Sequence, residues 1–450
     1  MTEVSGEGTI GRAAGRGAVL AWGFWDWAGA AFNAVILTFV FSVYLTDKVG
    51  EGLPGGISAS AWLGWALGAA GLVVAVTAPV AGQWFDASAK RKLSLGMLST
   101  VTVVLMAAMF FVHENYHYLW LGLALLGVAS AAFELAQVPY YAMLRQVSTP
   151  ATVGRVSGFG WSMGYFGGIL LLLICYFGFI SGKGDMRGLL GVPTDDGLNI
   201  RLVAVLAAVW FAGFAVPLFM FVPEVERTAD PAVPAGRLRW LRAVGESYRG
   251  LWRDIRELWV VDRRTVGFLV ASAVFRDGLA GVFTFGAILA VRVYGIADSD
   301  VLLFGIAANV VAALGALVGG RFDDRIGPKP VIVAALVAMI VCGLMLLVVS
   351  GPLMFWIFGL LLTVFVGPAQ ASARSFLARV APPGREGQMF GLYATTGRAV
   401  SFLAPTLFGF FVWASGTERA GIVGLLLVLI AGLVLLLPVN GATTHPSRPR

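Results

Sequence analysis

The sequence predicts an all-α membrane protein: twelve transmembrane helices in two six-helix repeats. Three observations lead there. Hydrophobic residues make up 58% of the 450 residues and charged residues 13%, against about 45–50% and about 25% in soluble domains. Apolar runs near the length that crosses a bilayer recur between polar loops. The second half of the chain also repeats the first. Together these exclude a soluble enzyme with a large core. The polar start, MTEVSGEGTIGRAAGRG, has no apolar stretch of the kind a cleaved signal peptide carries, so none is expected. Cys175 and Cys342 both lie inside apolar runs. They read as small packing residues and not as a disulfide framework.

Taken in order, the first span is 19–45, LAWGFWDWAGAAFNAVILTFVFSVYL in its apolar part, rich in aromatics and carrying the single charge Asp26. Spans 61–83, 93–112, 118–144, 155–181 and 200–222 complete the first half. Spans 265–292, 300–319, 330–350, 353–376, 388–414 and 419–438 make the second. The fourth, fifth, tenth and eleventh exceed the bilayer, which predicts tilt or extension beyond it. The domain reading is a cytoplasmic tail 1–17, a six-helix half 18–222, a linker 223–264, a second half 265–438 and a tail 439–450.

Basic residues settle the expected orientation. Loops following even-numbered spans carry Lys90, Arg91 and Lys92; Arg145 and Arg155; nine arginines from Arg227 to Arg264; Arg321, Arg325 and Lys329; and Arg374, Arg379 and Arg385. The opposite loops carry Lys48, Lys183, Arg187, Arg292 and Arg419, with Arg201 at a span edge. The positive-inside rule puts both termini in the cytoplasm. This placement accounts for the net charge of +7 without a nucleic-acid partner. In the linker, Leu241, Val244, Tyr248, Leu251, Ile255 and Leu258 fall on one face at helical spacing, with arginines on the other. That pattern predicts an amphipathic helix lying on the inner leaflet.

The repeat is visible in several places. Phe24, Asp26 and Phe32 answer to Phe275, Asp277 and Phe283, 251 residues later. AGQWFDASAKRK (81–92) aligns with GGRFDDRIGPKP (319–330), bringing Gly82 onto Gly320 and Asp86 onto Asp324. Residues 136–164 align with 369–397 without a gap. Ala136, Gln137, Leu144, Pro150, Gly154, Gly158 and Gly164 meet identical partners. Repeats of this kind place a substrate near the midplane between halves.

A charge inside a membrane helix is costly and is a site candidate for that reason. Asp26, Glu134, Arg276, Asp277 and Arg398 are such charges. Arg276 and Asp277 are neighbours in sequence, so on a helix they point about 100° apart and do not pair with each other. Arg276 is expected to face Asp26 or Glu134 across the bundle and to keep its carboxylate ionised. Protonation of Asp26 or Glu134 would then break the pair and shift the balance between inward and outward states. The plainer reading is a structural pair between helices 1, 4 and 7. Asn33, Gln137, Tyr140, Tyr141, Asn309, Gln370 and Tyr393 are further polar candidates, although a buried amide also serves as glue between helices. Gly64/Gly68, Gly160/Gly164 and Gly315/Gly319 have the small-xxx-small spacing that lets helices approach.

Twelve spans, a long central loop and G-x-x-x-D-x-x-x-[KR] loops after spans 2 and 8 resemble the major facilitator superfamily. The resemblance implies that helices 1, 4, 7 and 10 line the path, which favours Asn33, Gln137 and Gln370 as substrate contacts. It also implies that Asp86 and Asp324 pair with an arginine or a helix end across the half interface and hold the inward side closed. Arg145, Arg155, Arg325, Arg374 and Arg385, at inner helix ends, suit gate pairs or lipid phosphate. More narrowly, the chain resembles the vacuole-effluxer-like branch, which contains autophagy-related vacuolar amino-acid exporters and bacterial relatives. The residues that carry this are F-W-D-W-A (24–28), V-F-S-V-Y (40–44), G-R-V-S-G-F-G-W-S-M-G-Y-F-G-G (154–168), D-G (277–278), Q-A-S-A-R-S (370–375) and P-P-G-R-E with F-G-L-Y (382–393). Gly29-Ala30 stands where that family usually has Asn-Ser, and Arg276 where it usually has Asn.

His113-Glu114-Asn115-Tyr116-His117 spells H-E-x-x-H. That zinc-hydrolase pattern needs both histidines on one helix face and a third ligand. The run sits in a short outer turn and His445 is in the tail, so it is read as coincidence and no metal or cofactor is expected. No phosphate-binding G-x-x-x-x-G-K-[ST] run occurs. No nucleophile–base set appears either, so an enzyme is not expected. The expectation is a monomeric secondary transporter in contact with membrane lipids. It moves a small polar solute by alternating access, with amino-acid efflux implied by the resemblance and protons as the candidate coupling ion. Export of hydrophobic or cationic compounds, or a scaffold or sensor that transports nothing, are the alternatives. Arginine far above lysine and abundant Gly and Ala point to a GC-rich bacterium, and so to its cell membrane.

Overall fold

The computed structural model describes residues 15–440 apart from 55, 89, 183, 225–255 and 257–261. The apolar face expected for the linker, Leu241 to Leu258, and the tails 1–14 and 441–450 lie outside the described residues.

Twelve helices are long and apolar enough to cross a membrane: α1 (Arg16–Val49), α2 (Ala59–Ala87), α3 (Arg91–Phe111), α4 (Tyr116–Ala142), α5 (Val153–Ile180), α6 (Asp195–Phe221), α7 (Arg263–Arg292), α8 (Leu303–Ile326), α9 (Pro328–Val348), α10 (Pro352–Val380), α11 (Glu386–Ser415) and α12 (Glu418–Leu436). Between α5 and α6 a short hairpin pairs β1 (Met186–Arg187) with β2 (Val192–Pro193).

The twelve spans fall where the apolar runs predict, but several helices run further. The tenth extends to Val380 and the eighth to Ile326, each past the point where its apolar run ends. Their extra turns carry Arg379, Asp323 and Asp324, whose side chains find partners in neighbouring helices. Gly327, at φ 89° and ψ 162°, ends α8 in a backbone conformation that favours glycine, and Pro328 starts α9 at once.

Two helices are irregular. α1 is regular over Arg16–Ala30 and then widens. Val40 N–H donates to Val35 O at 3.0 Å and Gly50 N–H to Leu45 O at 3.0 Å, five residues back. α11 is broken into Glu386–Val400 and Leu403–Ser415. Pro405 explains the break: it has no N–H, and its ring crowds the carbonyl four residues earlier.

Within each half the helices pack around an aliphatic and aromatic core. Trp22, Trp25, Phe133, Tyr140 and Phe211 stack inside the first, and Phe268 stacks on Phe376 in the second. The halves meet where α2 packs on α11 and α5 on α8. These seams are related by the repeat. Gly82 lies against the Gly387 backbone and Gly320 against that of Gly154. Gly391 lies on Ala78 O and Gly158 on Ala316 O. A methyl group at any of these would collide with backbone, so the seams close only around glycine. Gly64 and Gly68 have open space around them, so they do not bring helices together as their spacing predicts. Gly160 and Gly319 do lie against neighbouring helices.

Candidate functional site

The polar groups between the halves form two layers. One lies at the end carrying the basic loops, called here the basic end. The other lies deeper in the bundle.

At the basic end Asp86, on the last turn of α2, accepts from the backbone N–H groups of Gly387 and Gln388 at 2.9 Å each. A carboxylate thus caps the N-terminus of α11, where free N–H groups and the helix dipole favour negative charge. Arg91 donates to Asp86 at 2.5 Å and to Glu386 at 2.7 Å, and Arg145 lies 3.1 Å from Glu386. Arg145 also donates to Ala381 O at 2.8 Å. Glu386 therefore ties the second half to two arginines of the first.

The repeat makes a matching clamp. Asp324 accepts from Gly154 N–H at 2.7 Å and Arg155 N–H at 3.1 Å, capping α5. Arg379 stands 3.3 Å from Asp324 and 2.8 Å from the fully buried Asp323. Arg155 reaches Asp324 at 3.5 Å from an exposed position. Arg325 and Arg385, grouped with the gate residues on sequence, are exposed at this end.

In the deeper layer Arg374 of α10 enters the first half. Its guanidinium lies 3.2 Å from Asp26. It donates to Ser157 Oγ at 3.0 Å and to Ser157 O at 2.7 Å. Trp22, Tyr141 and Trp161 surround it with ring centroids at 4.8, 5.0 and 5.7 Å. Tyr140 O–H donates to Asp26 at 2.7 Å. Gly160 makes room: a Cβ there would come within 2.5 Å of Asp26 and 2.8 Å of Arg374. Only 1% of the Arg374 side chain is exposed, so this charge is held entirely by partners from the other half.

The expected partner of Asp26 or Glu134 was Arg276; the structure corrects this. Arg374 takes Asp26, and Arg398 of α11 takes Glu134 of α4, with Nε donating to Oε2 at 2.6 Å and a second close contact between the same groups. Arg276 instead lies over the Tyr393 ring, 3.7 Å from its centroid, and donates to Tyr393 O at 3.3 Å. The reason for the exchange is depth: because α10 continues to Val380, Arg374 is more than a turn inside the helix and not at its end.

Asp277 is corrected too. Its carboxylate accepts from Ala404 N–H at 2.6 Å and caps the second piece of α11. It serves architecture within its own half. Asn309 is likewise spent on its own helix, donating to Gly305 O at 2.8 Å. Gln137 accepts from Tyr141 O–H at 2.6 Å. Asn33 is exposed at the start of the widened part of α1, and Gln370 is half-buried on α10. Sequence reasoning missed Ser157, Arg379, Asp323 and Glu386 as parts of these clusters.

The H-E-x-x-H run spans the turn after α3 and the first two residues of α4. His113 bonds Asp196 and lies 3.3 Å from Arg201, while His117 bonds Asn115 at 2.6 Å. The two histidines have different partners. Among the described residues no group of three or more His, Cys, Asp or Glu side chains is placed to hold a metal.

A family model described as "Vacuole effluxer Atg22 like" matches residues 146–445. The uncharacterized MFS-type transporter YxiO of Bacillus subtilis is 24% identical over 92% of this chain and 93% of its own. Autophagy-related protein 22-1 of Aspergillus fumigatus is 24% identical over 64% of this chain and 48% of its own. The chain spans about half the length of such fungal relatives. Among solved structures, the major facilitator proton:xylose symporter XylE superposes with a TM-score of 0.74 at 14% identity, covering 95% of this chain and 96% of XylE. FucP in the outward conformation superposes at 0.67 with 12% identity, covering 94% and 98%.

Proposed function

The chain belongs to the vacuole effluxer Atg22-like family of major facilitator membrane proteins, and from that premise we propose that it is a secondary transporter moving a small polar solute by alternating access. Amino-acid efflux is the substrate reading that the resemblance to vacuolar amino-acid exporters favours. The basic end is the cytoplasmic end, by the distribution of arginine and lysine, and the bacterial cell membrane is its place. On that orientation, the clamps at the basic end hold a state closed toward the cytoplasm.

One observation carries the mechanism: Arg374 of the second half is seated among Asp26, Ser157 and three aromatic rings of the first. Opening the basic end requires its withdrawal. Leaving an ionised Asp26 without its guanidinium in a low-dielectric interior is costly, and removing one member of such a pair typically costs about 3–5 kcal/mol. A proton on Asp26 removes that penalty. Proton arrival and opening are then linked, and a proton gradient can drive the cycle. Arg398 and Glu134 form a second pair of the same polarity, acid in the first half and base in the second.

The test is flux in proteoliposomes against a panel of amino acids, peptides and sugars under an imposed pH gradient. In Asp26→Asn, gradient-driven accumulation is lost while solute exchange at equal pH persists. Accumulation that responds to the gradient as in the unaltered protein removes Asp26 from coupling. Absence of flux for the whole panel favours the scaffold or sensor alternative.

A further inference from the structure

Among the described residues, the charges of the central layer are paired with one exception. Asp26 has Arg374, Glu134 has Arg398, and Asp277 has the N-terminus of the second piece of α11. Arg276 has no carboxylate within ion-pair distance among the described residues. Its contacts are one backbone carbonyl and one aromatic face, both of Tyr393. A guanidinium carries five N–H donors in a planar fork, and this one spends a single donor. The Tyr393 ring lies over the plane, and no other protein acceptor is bonded to the fork among the described residues. Gly397 lies over the guanidinium plane: a Cβ there would stand 3.3 Å from one terminal nitrogen, 3.7 Å from the central carbon and 3.8 Å from the other terminal nitrogen. From the first half Tyr141 approaches the same place, since Tyr141 and Tyr393 both pack on Phe390, at 5.6 and 6.2 Å between centroids. Arg276 thus lies beside the seam between halves, near mid-length of α7.

An arginine at bilayer depth with an unspent fork is unfavourable unless something pairs with it. The partner that matches a guanidinium fork is an oxyanion held by two parallel hydrogen bonds. We propose that Arg276 receives an anionic group of the transported solute, a carboxylate, along the edge of the guanidinium, with Tyr393 and Gly397 packed on its plane. This rests on the transport reading above and deepens it by naming the substrate class. It also separates the two substrate classes read from sequence, because a cationic compound would meet the guanidinium as a like charge.

The test uses the full chain in nanodiscs and a matched probe set: leucine, isovalerate, leucinamide and inorganic phosphate. Binding is read as a saturable rise in unfolding temperature. Leucine or isovalerate is expected to bind and leucinamide to bind at least about tenfold more weakly. Arg276→Gln is expected to weaken the carboxylates about tenfold or more. Arg276→Lys keeps the charge but not the fork, and is expected to fall between. The unfolding temperature of each variant without probe reports whether it folds, and Arg276→Lys carries the comparison if Arg276→Gln does not. Leucinamide binding as tightly as leucine, or carboxylate binding untouched by either variant, overturns the anion assignment and leaves the transport reading standing. Phosphate binding with carboxylates silent overturns the carboxylate class. Silence of the whole panel, together with absence of flux, overturns both.

Discussion

The α2–α11 and α5–α8 clamps are two copies of one device that differ in how their charges are wired. In both, a carboxylate from the loop end of an even-numbered helix accepts two backbone N–H groups at the start of an odd-numbered helix in the other half. In both, glycine meets backbone across the seam. The side chains around them diverge. At the first clamp the ion pairs cross the interface, because Glu386 of the second half holds Arg91 and Arg145 of the first. At the second, the buried pairs of Arg379 with Asp323 and Asp324 stay within one half, and the crossing pair from Arg155 is exposed. Backbone capping survives duplication because it depends on helix geometry alone. Side-chain pairing is free to drift.

This comparison predicts an ordered series. Glu386→Gln is expected to have the largest effect, weakening the closed basic end by about 3 kcal/mol, roughly a hundredfold in the closed-to-open ratio. Distances between spin labels on the basic-end loops of the two halves would report it; an unchanged distribution would mean that the crossing pairs hold nothing. Asp86→Asn and Asp324→Asn come next, each costing about 1–2 kcal/mol through lost capping. The two should agree within a few tenths of a kcal/mol if capping is what they share. A tenfold disparity in their populations would show that the neighbouring arginines dominate. Arg155→Gln should be smallest, about 0–1 kcal/mol, because its side chain is 60% exposed and solvent screens the pair. Solute flux measured with 0.5 M salt should leave the Arg155 contribution undetectable.

Much of this was legible in the sequence because it depends on periodicity and repetition. The twelve spans, the two halves and the matched positions of Asp86 and Asp324 follow from hydropathy and from the alignments of 81–92 with 319–330 and 136–164 with 369–397. The partners within the membrane were not legible. A run of apolar residues marks where a helix crosses, but not how far it continues, so Arg374 reads as a helix-end residue although α10 carries it inside. The role of Asp277 depends on the break at Ser401–Phe402, and Pro405 was the one sequence signal for it. The matched acids Asp26 and Asp277 also show where a repeat misleads: equal position does not imply equal work once one copy has an arginine before it and a broken helix to cap. Ser157 and Glu386 lie in the runs G-R-V-S-G and P-P-G-R-E that carry the family resemblance, but their roles were not legible, since only tertiary packing brings them to Arg374 and Arg91.

The widened stretch of α1 has a mechanical consequence. Each turn closed five residues back holds more chain than the 3.6 residues of an ordinary α turn, so the helix stores slack between its regular lower portion and its far tip. Drawing one surplus residue into ordinary winding would screw the tip round by about 100°. Asp26, anchored on the regular stretch Arg16–Ala30, would stay where it is while Asn33 and Phe39 swept past. Grip and presentation thus reside on one continuous rod that need not turn as one.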